Sequence, residues 1–179
     1  LAAPSANMFS KLSPVSASDV KEEFKKKIKY IVDGGKSKIG LESTIINLVG
    51  KPTILRPGGI EPEKIQKILK KKIKINKNFK KILSPGQLRF HYSPGIPIRL
   101  NAKKPKKNEA FIQFKKKSKS YKNYFYLSKR GDIKEAGKKL YTLLRLLKNM
   151  KYKSISISKI PNEGLGIAIN DRLKRASYK

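Results

Sequence analysis

Residues 132–158 read DIKEAGKKLYTLLRLLKNMKYKSISIS. In the first part, Ile133, Ala136, Leu140, Leu143, Leu144 and Leu147 recur at helical spacing and form one apolar stripe. The last five residues alternate serine and isoleucine, the period of a strand. The same pattern extends outward on both sides. "EAFIQF" (109–114) and "YFYLS" (124–128) read as strands, and "LGIAINDRLKRAS" (165–177) reads as a closing helix. Strands separated by a helix of this length imply a parallel layer. The expected fold class is therefore α/β, with residues 98–179 forming a small Rossmann-like βαβα domain.

Ahead of this unit the pattern breaks. Residues 77–97, KNFKKILSPGQLRFHYSPGIP, hold three prolines and two glycines around aromatic residues. A free tether is richer in Gly and Ser and poorer in aromatics. Residues 73–97 are thus expected to be a linker lying against a surface. Residues 1–72 again alternate helix and strand signals. In "SASDVKEEFKKKIKYIV" (16–32), Val20, Phe24, Ile28 and Ile31 fall at helical spacing, with Ser18 or Asp19 as N-cap. "STIINLVG" (43–50) and "PTILRPG" (52–58) are short β-branched runs. "EPEKIQKILKK" (61–71) starts a helix, with Pro62 in its first turn and Ile65, Ile68 and Leu69 on one face.

Composition limits the chemistry. No run of 18 apolar residues exists, so no membrane partner is expected. With no cysteine, disulfides and thiolate metal sites are excluded, and the cytoplasm is the expected compartment. One histidine leaves little for a His-based metal site, and no metal ligand is assigned. The net charge of +32 comes from 37 Lys but only 7 Arg. Arginine makes the forked contacts that read phosphate and guanine, whereas lysine is a hydrated point charge. A lysine surplus in every segment reads as compositional bias more than as a groove, although residues 98–179 carry 24 basic against 5 acidic residues. Salt-sensitive, non-specific binding of RNA or DNA is expected either way.

The common nucleotide motifs fail on spacing. "GGKS" (34–37) would need a glycine at Tyr30 to end a P-loop, and "GLGIAI" (164–169) lacks the third glycine of a dinucleotide fingerprint. No G-x-S-x-G elbow supports a serine hydrolase. Four other segments stand out: "APSAN" (3–7) with "SP" at 13–14, "DGGKSKIGLESTIINL" (33–48), "ILRPGGI" (54–60) and "SPGQLRFHYSP" (84–94). Ser5, Asn7 and Ser13 offer hydroxyl and amide groups for phosphate or ribose oxygens. Ser43 and Thr44 follow a glycine loop. Arg56 ends a strand and can point at a phosphate. His91 and Tyr92 can close over a base or sugar. Each residue alone also has a structural reading: Ser5 and Asn7 as turn residues, Arg56 as an ion-pair partner, and Tyr92 as packing for the linker.

In this order, the segments resemble the two-domain form of the L-threonylcarbamoyladenylate synthase family of YrdC type. The resemblance rests on "APSANMFSKLSPV", "GLEST", "ILRPG", "SPG…HY" and the terminal "GLGIAINDRLKRAS". It implies the C-terminal part of a YrdC-like twisted catalytic domain in residues 1–72, an interdomain linker and lid in 73–97, and a small Rossmann-like domain in 98–179. On this resemblance the chain is the C-terminal part of a longer protein, lacks the N-terminal half of the catalytic domain, and is inactive alone. The implied reaction forms threonylcarbamoyl-AMP and pyrophosphate from L-threonine, bicarbonate and ATP, for threonylcarbamoyladenosine modification of tRNA. ATP is substrate, and magnesium is expected with it. By motif match, Ser5, Asn7, Ser13, Arg56 and Tyr92 contact ATP or AMP, while Ala3 and Ser43 contact threonine. No residue reads as a general base. Ser10 stands where the family has glycine, Val15 where it has threonine, and Ser93 where it has alanine; the first of these is expected to change the loop's backbone. The competing reading is a non-catalytic basic module that binds double-stranded RNA or tRNA.

Overall fold

The computed structural model describes residues 5–76, 82–88, 90–117 and 121–178. Helix α1 (Ala17–Phe24) is followed by strands β1 (Ile45–Asn47) and β2 (Thr53–Arg56), helix α2 (Pro62–Leu69) and strand β3 (Lys74–Ile75). Then come β4 (Ile98–Arg99), β5 (Glu109–Lys115), β6 (Tyr124–Ser128), α3 (Ile133–Asn149), β7 (Ser154–Ile157) and α4 (Leu165–Ser177). Two sheets result, ordered β1-β2-β3 and β4-β7-β5-β6. Every pairing in the second sheet is parallel. The protein is thus a mixed α/β structure with a parallel sheet.

The 132–158 stretch forms α3 and β7. Asp132 caps the helix by accepting from the Glu135 amide at 2.7 Å. Ala136, Leu140, Leu144 and Leu147 are fully buried, and so is Tyr141 on the same face. They meet Ala110 and Ile112 of β5, Leu127 of β6, Ile155 and Ile157 of β7, and Ile169 and Leu173 of α4 in one core. Alternate residues of β5 and β7 supply that face of the sheet, so α3 and α4 cover it together. Leu12, Tyr92, Val15 and Leu41 belong to this same core. The loop at the chain's start and the linker therefore pack on α3 and α4. Ile54, Ile65 and Ile73 make a separate, smaller core under the first sheet.

Several elements differ from the sequence reading. Helix α1 stops at Phe24, because Lys25 takes φ 51 and ψ −122 at its C-cap. Ile28 and Ile31 therefore lie beyond it. Its N-cap is Ser16, which accepts from the Asp19 amide at 3.3 Å, while Asp19 accepts from the Val15 amide at 2.8 Å. The two side chains each satisfy an otherwise orphaned amide. Ile68 of α2 is 81% exposed, since the small sheet meets the helix along Ile65 and Leu69. The expected linker begins with β3, which pairs parallel to β2, and ends against β4; both strands are two residues long, too short for a periodicity to show.

Candidate functional site

The four segments singled out in the sequence meet at one cavity of about 370 Å³. Its lining includes Ser5, Asn7, Ser10 and Ser13 from the first loop, Glu42 ahead of β1, and Arg56 at the end of β2. The linker contributes Ser84, Gly86, Gln87, His91 and Tyr92.

Local structure places each group. The linker is fastened to the first loop by the Ser93 amide, which donates to the Ser10 carbonyl at 3.0 Å, and by a β-bridge between Lys11 and Ser93. Gln87 accepts from the amides of Leu83 (2.6 Å) and Ser84 (3.1 Å), which folds the SPGQ turn on itself. Ser10 has φ 62. The loop thus keeps the left-handed conformation that glycine favours, although this chain has serine there. Glycine is indispensable at two other points. A Cβ on Gly58 would lie 2.4 Å from the Glu42 carbonyl oxygen, so the RPG turn can only approach the Glu42–Ser43 backbone without a side chain. Gly86 has φ +80, and a Cβ there would meet the Tyr92 hydroxyl at 2.2 Å. Gly86→Ala is expected to displace Tyr92 and to destabilise the chain by about 1–3 kcal/mol, read from the urea midpoint. An unchanged midpoint contradicts the contact.

Tyr92 is 1% exposed and has φ 60, a conformation that costs a bulky residue of order 1–2 kcal/mol. Its ring lies over the Arg172 guanidinium, 4.8 Å from ring centroid to the central carbon, and stacks at 6.1 Å on Tyr141. Its amide donates to His91 Nδ1 at 2.9 Å, which needs that nitrogen unprotonated. Burial pushes the His91 pKa down, and the Arg172, Arg175 and Arg56 charges add to this against the opposing pull of Glu42. His91 is the only histidine. Its Hε1 resonance should therefore titrate, unambiguously assigned, with a midpoint below 6.5; a midpoint above that value contradicts the packing. A base whose folded pKa is depressed is the weaker proton acceptor when folded, so stability falls as pH drops from neutral through 6.5 toward the folded midpoint.

Among the described residues Glu42 is the one carboxylate that lines the cavity. It accepts from Ser13 Oγ (2.6 Å), Tyr141 Oη (2.9 Å) and Arg172 Nε (2.7 Å). Burial alone would raise its pKa; the Arg172 charge and the Ser13 and Arg172 hydrogen bonds outweigh that and hold it below the usual value. Among the described residues no group of three or more His, Asp and Glu could hold a metal. No step below is routed through magnesium.

Arg56 has five N–H groups. Nε and Nη2 donate to the Ser43 carbonyl at 3.1 and 2.9 Å, Nη2 donates also to Ser43 Oγ at 3.0 Å, and Nη1 donates to the Pro85 carbonyl at 3.4 Å. One Nη1 proton is left for the cavity. Asn7 Oδ1 and Ser84 Oγ, both buried, have no protein partner among the described residues.

Of the expected site residues, Ser5, Asn7, Ser13, Arg56 and Tyr92 line the cavity. Ser43 lies behind Arg56, its hydroxyl accepting from the guanidinium. Ala3 lies outside the described residues. The sequence reading missed Glu42, Ser84, Arg172 and Tyr141. Glu42 could have been noticed as one of only 12 acidic residues in a chain of net charge +32, inside a quoted motif. Arg172 and Tyr141 reach the site from helices whose signal was purely one of packing.

A parallel-sheet α/β protein with a cavity lined by polar side chains from separated loops and by its own linker is the class that fold and site define. The family model for the C-terminal domain of threonylcarbamoyl-AMP synthase matches residues 60–177, and a model described as telomere recombination matches residues 1–58. The chain belongs to the threonylcarbamoyl-AMP synthase family. It is 35% identical to the threonylcarbamoyl-AMP synthase of Pyrococcus abyssi and 32% identical to that of Bacillus subtilis; each alignment covers 99% of this chain and 57% of the relative. The chain thus spans little more than half the length of these relatives. The crystal structure of P. abyssi Sua5 complexed with L-threonine superposes with a TM-score of 0.84 at 30% identity, over 97% of this chain and 56% of that one.

Proposed function

We propose that the protein carrying this chain is an L-threonylcarbamoyladenylate synthase, forming threonylcarbamoyl-AMP and pyrophosphate from L-threonine, bicarbonate and ATP, in the service of tRNA threonylcarbamoyladenosine modification. The observation that carries this reading is the convergence of four separated segments on one cavity, whose lining residues Ser5, Asn7, Ser13 and Arg56 suit a polar ligand. The relatives' names and a solved neighbour's threonine complex agree with that ligand.

In this reading residues 1–72 are part of a YrdC-like catalytic domain, 73–97 a linker that acts as a lid, and 98–179 a small Rossmann-like domain. Ser5, Asn7 and Ser13 meet the nucleotide, and Tyr92 covers the AMP moiety. Arg56 braces Ser43, and its one free N–H serves a phosphate oxygen. Ser43 and Ala3 meet threonine. The adenylyl group passes from ATP to a carbamate oxygen: a P–O bond to the carbamate forms, the bond to pyrophosphate breaks, and pyrophosphate leaves. The carbamate itself forms when the threonine amine bonds to the bicarbonate carbon with loss of water and release of a proton to solvent; the adenylyl step that follows needs no side-chain base, because the carbamate already carries the negative charge. Catalysis then comes from positioning and from donors aimed at the phosphate oxygens. The docked linker excludes water from the mixed anhydride.

The alternative, a basic module that binds double-stranded RNA or tRNA without chemistry, has no need of a cavity built from four separated segments, and is the less favoured. The test is pyrophosphate release by the protein as its gene encodes it. Release that requires both threonine and bicarbonate is expected; release that requires neither contradicts the reading.

A further inference from the structure

Three of the seven arginines sit on the last two helices, and each holds a wall of the cavity. Arg145 of α3 donates to the Leu12 carbonyl at 2.5 Å, fixing the first loop. Arg175 of α4 donates to the Gln87 and Leu88 carbonyls at 2.7 and 2.9 Å, fixing the linker. Arg172, 1% exposed, donates to Glu42 and, at 2.9 Å, to the Pro57 carbonyl, fixing the second and third segments together. We propose that Arg172 is a positioning residue for the reaction: it fixes the Glu42 carboxylate as an acceptor, which turns the Ser13 hydroxyl proton away from the cavity and leaves Ser13 to meet substrate only as an acceptor.

The polarity follows from counting protons. An ionised carboxylate only accepts, so Ser13 must donate its single O–H to Glu42. Its remaining lone pairs can receive an N–H or O–H: an ammonium, an exocyclic amine or a ribose hydroxyl. They cannot bind a phosphate oxygen. Tyr141 cannot reverse the arrangement, because burial and the Glu42 charge raise its pKa and keep it a donor. Among the described residues no other cation takes the place of Arg172. Among the described residues, the charged and titratable groups around Glu42 are Tyr141 from α3, Asp171, Arg172 and Arg175 from α4, His91 and Tyr92 from the linker, and Arg56 from β2. Arg56 is held by Ser43 and Pro85, with one Nη1 proton left toward the cavity, and Arg175 is held by Asp171 and the linker. Without Arg172, burial favours a protonated Glu42, whose own proton can then go to Ser13 and reverse its polarity.

This role rests on the synthase reading, and the experiment separates the two. In the protein as its gene encodes it, Arg172→Gln is expected to raise the KM of the substrate that meets Ser13 by about tenfold or more. It should also add an ionisation to the kcat/KM profile above the usual carboxylate range, since burial raises the Glu42 pKa once the Arg172 charge is gone. Arg172→Lys should restore part of the KM, and Arg172→Gln combined with Glu42→Gln should remove the added ionisation. A folded Arg172→Gln with the parent KM and pH profile overturns the proposal. Should that variant not fold, Ser13→Ala, which leaves the Arg172–Glu42 pair intact, is expected to raise the same KM about tenfold, and an unchanged KM overturns the proposal equally. If the parent shows no threonine-dependent pyrophosphate release, the functional reading fails by itself. Carboxyl ¹³C NMR of Glu42 in the unmodified protein then decides the positioning claim: a midpoint below 4.5 is expected, and one above it is contrary.

Discussion

Arg172→Met is expected to destabilise the protein by about 3–5 kcal/mol, the cost of leaving one partner of a buried pair without the other. The Arg172 side chain is 1% exposed and serves Glu42, Asp171 and the Pro57 carbonyl while lying under the Tyr92 ring. Its loss strands a buried carboxylate and a carbonyl and removes the support beneath the ring. The urea midpoint measures the loss. Adding Glu42→Gln to Arg172→Met should recover part of it, because the stranded charge disappears with the second change. A single variant within about 0.5 kcal/mol of the parent would mean that α4 does not bear on the cavity as described.

The second large effect concerns the linker. Exchange of residues 84–94 for a Gly/Ser segment of equal length should lower turnover by about a hundredfold or more, since small misplacements of positioning groups reach that size. The exchange removes the Tyr92 ring and the Gln87 side chain that folds the turn, and so loosens the backbone whose carbonyls Arg175 holds along one wall of the cavity. Tyr92→Phe is the companion variant. It keeps the ring against Arg172 and Tyr141 and should stay within about tenfold of the parent. Turnover of the exchanged protein equal to the parent's would exclude a lid.

What could be read from sequence divides along physical lines. The 132–158 stretch and the 165–177 helix were legible because their cores are built locally, one turn above another, as Leu140, Leu144 and Leu147 show. The end of α1 was not legible: an apolar spacing continued through Ile28 and Ile31 after the backbone had turned at Lys25. Strands β3 and β4 are two residues long and exist only because a neighbour pairs with them. At the site, the polar residues of the quoted segments could be recognised one by one. The electrostatic partners of Glu42 could not, since Tyr141 and Arg172 lie 99 and 130 residues away in the chain. The scarcity of arginine was the signal available. Lysine covers the surface, and three of seven arginines brace the cavity, where a planar fork can satisfy several carbonyls and a carboxylate together.

A structure of the protein with AMP and L-threonine bound tests most directly whether these segments form one substrate site. The nucleotide should lie between the first loop and the Tyr92 segment, in contact with Ser5 and Asn7, with an N–H or O–H donor facing Ser13. AMP found on a lysine-rich outer surface with this cavity empty, or a phosphate oxygen seated on Ser13, would contradict it.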